Sequence, residues 1–357
     1  MEDKSQSYRA MEASAQTPSR TFKVLAVDGG GIKGLFAATI LAEFERVNGS
    51  IADHFDLLCG TSTGGLIALA LAAGKSADEI VEFYLTWGPK IFPGRNFAVR
   101  FMKRRGLLFP NSRNTDVVLR QAISEIIGDK RMQDSNSYLC IPTLSLINSA
   151  PYVFKTDHDE SLKRDATVFM RDAALATSAA PFYFPVATAD DRPGAEFVDG
   201  GLWANNPSLI GLIEAIRFFV GETKPYDDLK ILSLSTLAPA TGRASGGRKK
   251  LRLATSAAEI FTATLESQQR ATELAVKFLI PGLRFPVGYT RVPSPSVSAD
   301  HSALIQLDNA HTRSLDTLQY YGKAVAHDWY TKPEIKSFFN ERSASPVFRR
   351  VDVEGLF

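Results

Sequence analysis

The chain has 357 residues, 45% of them hydrophobic and 22% charged, an ordinary balance for a globular protein with a sizeable core. A formal net charge of +2 gives no electrostatic ground for a DNA or RNA polymer as partner. No apolar run approaches the roughly 20 residues of a membrane-spanning helix.

The first twenty residues are polar and lack the apolar stretch of a secretory signal, so residues 1–20 read as a flexible tail. Residues 22–27 form an apolar, β-rich run that reads as a buried strand. It meets Asp28-Gly29-Gly30-Gly31-Ile32-Lys33-Gly34, and a helix is expected over about 35–47. A second strand over 55–59 enters Gly60-Thr61-Ser62-Thr63-Gly64-Gly65. The small-residue run 66–73 then reads as a helix stopped by Gly74. Ser76-Ala77-Asp78-Glu79 has the capping-box pattern for a helix over about 77–87.

Residues 88–114 are rich in Gly, Pro, Arg and Phe and read as an irregular surface insert. A helix is expected from 115 to 127, strands over 138–146 and 152–155, a short helix over 171–177 and a strand over 229–234. A loop over 237–250 precedes helical patterns at about 251–279, 311–327 and 333–340. Strand, glycine turn and helix in alternation predict an α/β sheet with helices on both faces. The expected organisation is a catalytic domain over 21–236, with 237–357 a loop and helical extension packed on it. The two cysteines, Cys59 and Cys140, read as buried free thiols in a reducing compartment.

Ser62, between glycines at a strand-to-helix turn, has the form of a nucleophile elbow, with Gly60 and Gly64 allowing the sharp bend. Such a serine needs a base and donors for a developing oxyanion. The backbone N–H groups of Gly29, Gly30 and Gly31, after a strand and before a helix, are candidate donors, and Lys33 could add positive potential. Gly29, Gly31 and Gly34 also fit a dinucleotide fingerprint. However, Asp53 and Asp56 precede the second strand instead of ending it, which ranks an oxidoreductase below a hydrolase. Among the histidines, His54 precedes the elbow strand and His158 sits in a polar loop. His301 and His311 could serve a Ser–Asp–His order, but neither stands in a motif. Asp199, in Phe197-Val198-Asp199-Gly200-Gly201, is the stronger candidate base, because a desolvated carboxylate can take a hydroxyl proton.

Asp28-Gly29-Gly30-Gly31-Ile32-Lys33-Gly34, Gly60-Thr61-Ser62-Thr63-Gly64 and Asp199-Gly200-Gly201 occur in one order. With residues 176–185 and Asn205-Asn206-Pro207, this set resembles the patatin-like phospholipase family over about 22–215. The resemblance implies a three-layer sandwich with a mostly parallel central sheet and a helical C-terminal part. It also implies a Ser62–Asp199 dyad without histidine, Gly29, Gly30 and Gly31 as oxyanion donors, and Gly200 and Gly201 as the acid motif. The reaction implied is hydrolysis of lipid acyl esters without a catalytic cofactor or metal.

Length, the leading strand and the helical C-terminal third are further similar to bacterial patatin-like effectors of the CapV type, switched on by cyclic nucleotides in anti-phage defence. That likeness implies a cyclic dinucleotide activator and a phospholipid substrate. It also implies a cytoplasmic protein in transient peripheral contact with the inner membrane, and it is compatible with a homo-oligomer. The basic clusters over 100–105 and 243–252 could pair with nucleotide phosphates or with anionic headgroups. A constitutive lipase or esterase is the alternative.

Overall fold

In the computed structural model, residues 20–92, 113–181, 183–238 and 253–348 are described. The basic clusters over 100–105 and 243–252, and most of the N-terminal tail and of the insert, lie outside them. The strands are β1 (Thr21–Val27), β2 (Leu57–Gly60), β3 (Tyr138–Ser145), β4 (Ala150–Lys155), β5 (Ala187–Ala189), β6 (Arg192–Asp199), β7 (Asp228–Leu234) and β8 (Val287–Val292). The helices are α1 (Gly34–Asn48), α2 (Thr63–Ala72), α3 (Ala77–Ile91), α4 (Arg113–Ile127), α5 (Met170–Ser178) and α6 (Gly201–Ala204). They continue as α7 (Ser208–Phe218), α8 (Leu253–Leu279), α9 (Ala299–Ser302), α10 (Thr312–Tyr330) and α11 (Pro333–Phe339).

The strands form one sheet through the pairs β5-β6, β6-β3, β3-β2, β2-β1, β1-β7 and β7-β8, with β4 also paired to β3. β3, β2, β1, β7 and β8 run parallel, whereas β4, β5 and β6 add antiparallel pairs at one end. Parallel strands are covered on both faces, which is why they read as continuous apolar runs. In β1, Leu25 and Val27 pack into one core, and Phe22, Val24 and Ala26 into the other. α1, α2, α3, α5 and α10 build the first core; α7 and the C-terminal half of α8 cover the second through Leu212, Ala215 and Val276. The result is the expected three-layer α/β sandwich. α2 is buried along its whole length and is apolar all round, as a central helix must be.

The expected elements form, with shifted ends. The Ser76–Glu79 capping box is made: Glu79 N donates to Ser76 Oγ at 3.1 Å and Ser76 N to Glu79 Oε2 at 2.8 Å. α3 nevertheless runs past the expected stop at Trp87, through Pro89, to Ile91. Burial of Gly88 against Ile32, and of Ile91, outweighs the local breaker signal of Gly-Pro. The C-terminal part is mainly helical, but it also supplies β8, which pairs with β7 from Leu229 opposite Val287 to Leu234 opposite Val292. This short strand carries Gly288 and Arg291, which blur its alternation. The stretch after residue 237 therefore completes the sheet as well as packing on it.

Candidate active site

The parallel strands deliver the glycine loop after β1 and the elbow after β2 to the same carboxyl edge of the sheet, where open α/β folds place their sites. The elbow is tight. Ser62 has φ 54° and ψ −123°, a left-handed conformation that costs a non-glycine residue on the order of 1–3 kcal/mol. Its surroundings hold it there. Ser62 N donates to Thr177 Oγ1 at 2.9 Å, and Thr177 Oγ1 donates to Pro142 O at 2.5 Å. Thr61 Oγ1 donates to Ala204 O at 2.6 Å. A Cβ on Gly60 would lie 2.0 Å from Gly64 O, and one on Gly64 would lie 2.1 Å from Val27 O. These two positions can hold nothing larger than glycine. α2 begins at Thr63, directly after Ser62, so the positive end of a buried helix points at the serine.

Strand register brings Asp199 to the same place. β4 and β6 both pair with residues 143–145 of β3, and so must occupy its opposite edges. β2 and β4 both pair with Cys140, and so are opposite too. β2 and β6 therefore share one edge of β3 and abut end to end. β2 runs out into the elbow, and β6, arriving antiparallel, stops with Asp199 opposite Thr143. Ser62 and Asp199 line the same cavity, and the Ser62 hydroxyl favours the ionised form of the carboxyl. Asp199 Oδ1 accepts from Gly201 N at 2.6 Å. Gly200 is required for packing, since a Cβ there would lie 2.2 Å from Pro142 O. Burial pushes the Asp199 carboxyl up to about 6, against the Gly201 hydrogen bond and the Ser62 hydroxyl, which pull it down.

The glycine loop divides into different roles. Gly29 N–H donates to Asn205 O at 2.9 Å, so it is not free to meet an oxyanion, which corrects the expectation for Gly29. Its carbonyl accepts from Thr236 Oγ1 at 3.0 Å and Gln269 Nε2 at 3.4 Å. Gly30 and Gly31 line the cavity beside Ser62, and their N–H groups meet no acceptor among the described residues. At Gly31, φ is +59° and a Cβ would lie 2.4 Å from Leu307 O, so both conformation and space require glycine. Lys33 is buried, and desolvation lowers its pKa while Glu266 and Asp28 oppose the shift. Asp28, fully buried ahead of the loop, is paired with Arg291 of β8 at 2.5 Å.

Ser62 and Asp199 lie in a cavity with otherwise largely apolar walls, including Leu66, Phe83, Ile91, Phe184, Phe261 and Leu265. None of the five histidines lines it. His54 contacts Asn48 O and Glu341 O, His158 bonds Thr156 and Glu214, and His301 bonds Tyr321. His311 precedes α10 and His327 lies within it. Asp53 and Asp56 lie before β2, at the opposite strand ends from the cavity, and Asp56 is held by Lys23 N at 2.7 Å and Tyr226 Oη at 3.2 Å. Neither is therefore placed to bind a ribose beside the glycine loop. Sequence reasoning missed Thr177, Phe261, Leu265, Leu307 and Arg291. Thr177 stands in the 176–185 block that carried the resemblance, whereas the others follow no motif.

A hydrolase-type site in a patatin-like sandwich is what these elements define. The family model of the patatin-like phospholipases matches residues 25–211, about half of the chain, and the chain belongs to that family of hydrolases. It is 35% identical to a protein named cGAMP-activated phospholipase from Escherichia coli, over 93% of this chain and 96% of the relative. A protein of the same name from Vibrio cholerae is 33% identical over 87% and 92%. Patatin-like protein 2 of rice is 33% identical over only 59% of this chain and 58% of its own length.

Proposed function

We propose that the protein is a phospholipase that uses Ser62 as nucleophile and Asp199 as base, and that a cyclic dinucleotide of the cGAMP kind activates it. The observation that carries the chemistry is the shared cavity of Ser62 and a buried carboxylate whose pKa is raised to about 6, without a histidine. An ordinary carboxylate is too weak a base for a serine hydroxyl; desolvation makes this one more basic while leaving it ionised near neutral pH.

Ser62 Oγ attacks the acyl carbonyl carbon as Asp199 takes its proton. The tetrahedral oxyanion points at the N–H groups of Gly30 and Gly31, with the α2 N-terminus behind the nucleophile. Each such donor contributes on the order of 3 kcal/mol to the barrier. Collapse expels the lyso-lipid oxygen, which takes the proton from Asp199, and leaves an acyl ester on Ser62. Water then attacks that ester, giving its proton to Asp199, and the fatty acid departs as Ser62 regains the proton. The apolar walls suit an acyl chain. The protein would reach its lipid peripherally, since no helix among the described residues is long and apolar enough to cross a membrane.

Activation is drawn from the relatives. Those named cGAMP-activated phospholipase align with almost the whole chain, including the C-terminal extension. That extension touches the catalytic glycine loop directly, through Gln269 to Gly29 O and Ile32 N to Leu307 O at 3.0 Å. The test is fatty-acid release from phosphatidylglycerol vesicles, with and without cGAMP. Release is expected only with cGAMP, and to vanish in Ser62→Ala and Asp199→Asn. Equal release without nucleotide would assign a constitutive lipase, and turnover by Ser62→Ala would overturn the nucleophile.

A further inference from the structure

α8 presents two faces of different character. On one side, Phe261 and Leu265 wall the cavity over Ser62, and Val276 packs into the core on the same side. On the other, Ile260, Thr264, Ser267, Ala271, Leu274 and Phe278 are all exposed. Their spacing alternates four and three residues, which aligns them in one stripe along about 27 Å of helix. Phe278 is 75% exposed, Leu274 55%, Ile260 53% and Leu279 50%. Burying such side chains in water-free surroundings is favourable, and leaving three of them, Ile260, Leu274 and Phe278, along one stripe with Leu279 beside its end is unusual.

The charge on this face has one sign. From residue 260 to residue 288, the exposed charged side chains are Arg270, Lys277 and Arg284. The acids of the same stretch, Glu266 and Glu273, are half-buried; Glu273 holds Arg291 at 3.2 Å and Lys277 at 2.6 Å. α7, in the same layer, adds exposed Ile213 and Arg217.

We infer that the outer face of α8 is the surface by which the protein docks on an anionic lipid bilayer, a conclusion that rests on the reading of its substrate as a membrane lipid. A second copy packed here by a two-fold axis would set Arg270, Lys277 and Arg284 against their own counterparts, with no exposed acid among the described residues of the stripe to meet them. A bilayer of acidic lipids supplies that negative charge and receives Leu274 and Phe278 at the headgroup boundary. The helix that anchors the protein is then the helix that walls the cavity.

The test uses the full-length protein with cGAMP present and the double variant Leu274→Asp/Phe278→Asp, whose sites are exposed and support no core. Co-sedimentation with vesicles of equal parts phosphatidylcholine and phosphatidylglycerol should fall about tenfold or more in the variant. Hydrolysis of the water-soluble ester p-nitrophenyl butyrate should be unchanged. Equal sedimentation of variant and wild type, or no sedimentation of either, overturns the surface. A change from dimer to monomer in the variant, without a change in vesicle binding, overturns it in favour of a second copy. Wild type that binds vesicles through this face but releases no fatty acid leaves the surface standing and refutes the hydrolase assignment. Equal vesicle hydrolysis by both proteins does the reverse.

Discussion

Replacing Asp199 by Asn should abolish turnover and, at the same time, stabilise the fold above neutral pH. The carboxyl is fully buried, and its pKa stands at about 6 instead of the usual 3.8. A shift of about two units corresponds to about 3 kcal/mol by which folding disfavours the ionised form. The folded pKa lies above the unfolded one, so between about pH 4 and pH 6 the folded protein holds more protons and stability falls as pH rises. The penalty is complete above about pH 6 and absent below about pH 4. Asn carries no charge, keeps an acceptor for Gly201 N–H and occupies the same volume. The variant should therefore gain up to about 3 kcal/mol at pH 8 and about half of that at pH 5. Urea unfolding followed by circular dichroism at both pH values measures the difference. A variant no more stable than wild type at pH 8, or a gain that does not shrink toward acid, would refute the account of Asp199 as a desolvated base. The same pKa predicts that kcat/KM of the wild type falls below about pH 6 as the base is protonated.

Ser62→Gly should be inactive yet more stable than Ser62→Ala by about 1 kcal/mol, because glycine alone accepts φ 54° without strain; thermal unfolding of the two variants decides it. Gly64→Ala places a methyl 2.1 Å from Val27 O and should push the elbow away from the glycine loop. An active protein with at least a hundredth of wild-type kcat would contradict that packing. Arg291→Met removes the ion partner of the buried Asp28 and should cost on the order of 3–5 kcal/mol in urea unfolding. The double variant Asp28→Asn/Arg291→Met should recover most of that loss, and a double variant as unstable as the single one would remove the ion pair from the explanation.

The local features of the site were legible in the sequence because they rest on backbone chemistry. A serine between glycines after an apolar run announces a sharp turn, and three successive glycines announce close backbone approach; both are properties of a few neighbouring residues. Ser62, Gly60, Gly64 and the glycine-rich loop could thus be read directly, as could the alternation that gives an α/β sheet. Asp199 was legible as a candidate base that an Asp-Gly-Gly turn after a strand could equally explain, and the resemblance gave it its place in a dyad. What brings it to Ser62 is the shared edge of β3, a consequence of strand register that sets Cys59 opposite Cys140 and Asp199 opposite Thr143. The same is true of its raised pKa, because desolvation depends on what covers a group and not on its sequence neighbours. Gly29 lost its expected part as a donor to Asn205 O, a contact across 176 residues. Thr177 stands in a family block that did not show its part, and Leu307 and Arg291 carry no motif at all, since all three act by supporting other groups: Thr177 bonds the elbow amide, Leu307 presses on Gly31 and Arg291 pairs with Asp28. The sequence by itself thus determined the chemistry's parts, which local geometry dictates. Only the tertiary structure decided which of them meet, how basic the carboxylate becomes, and which glycine amides are left free to face a substrate.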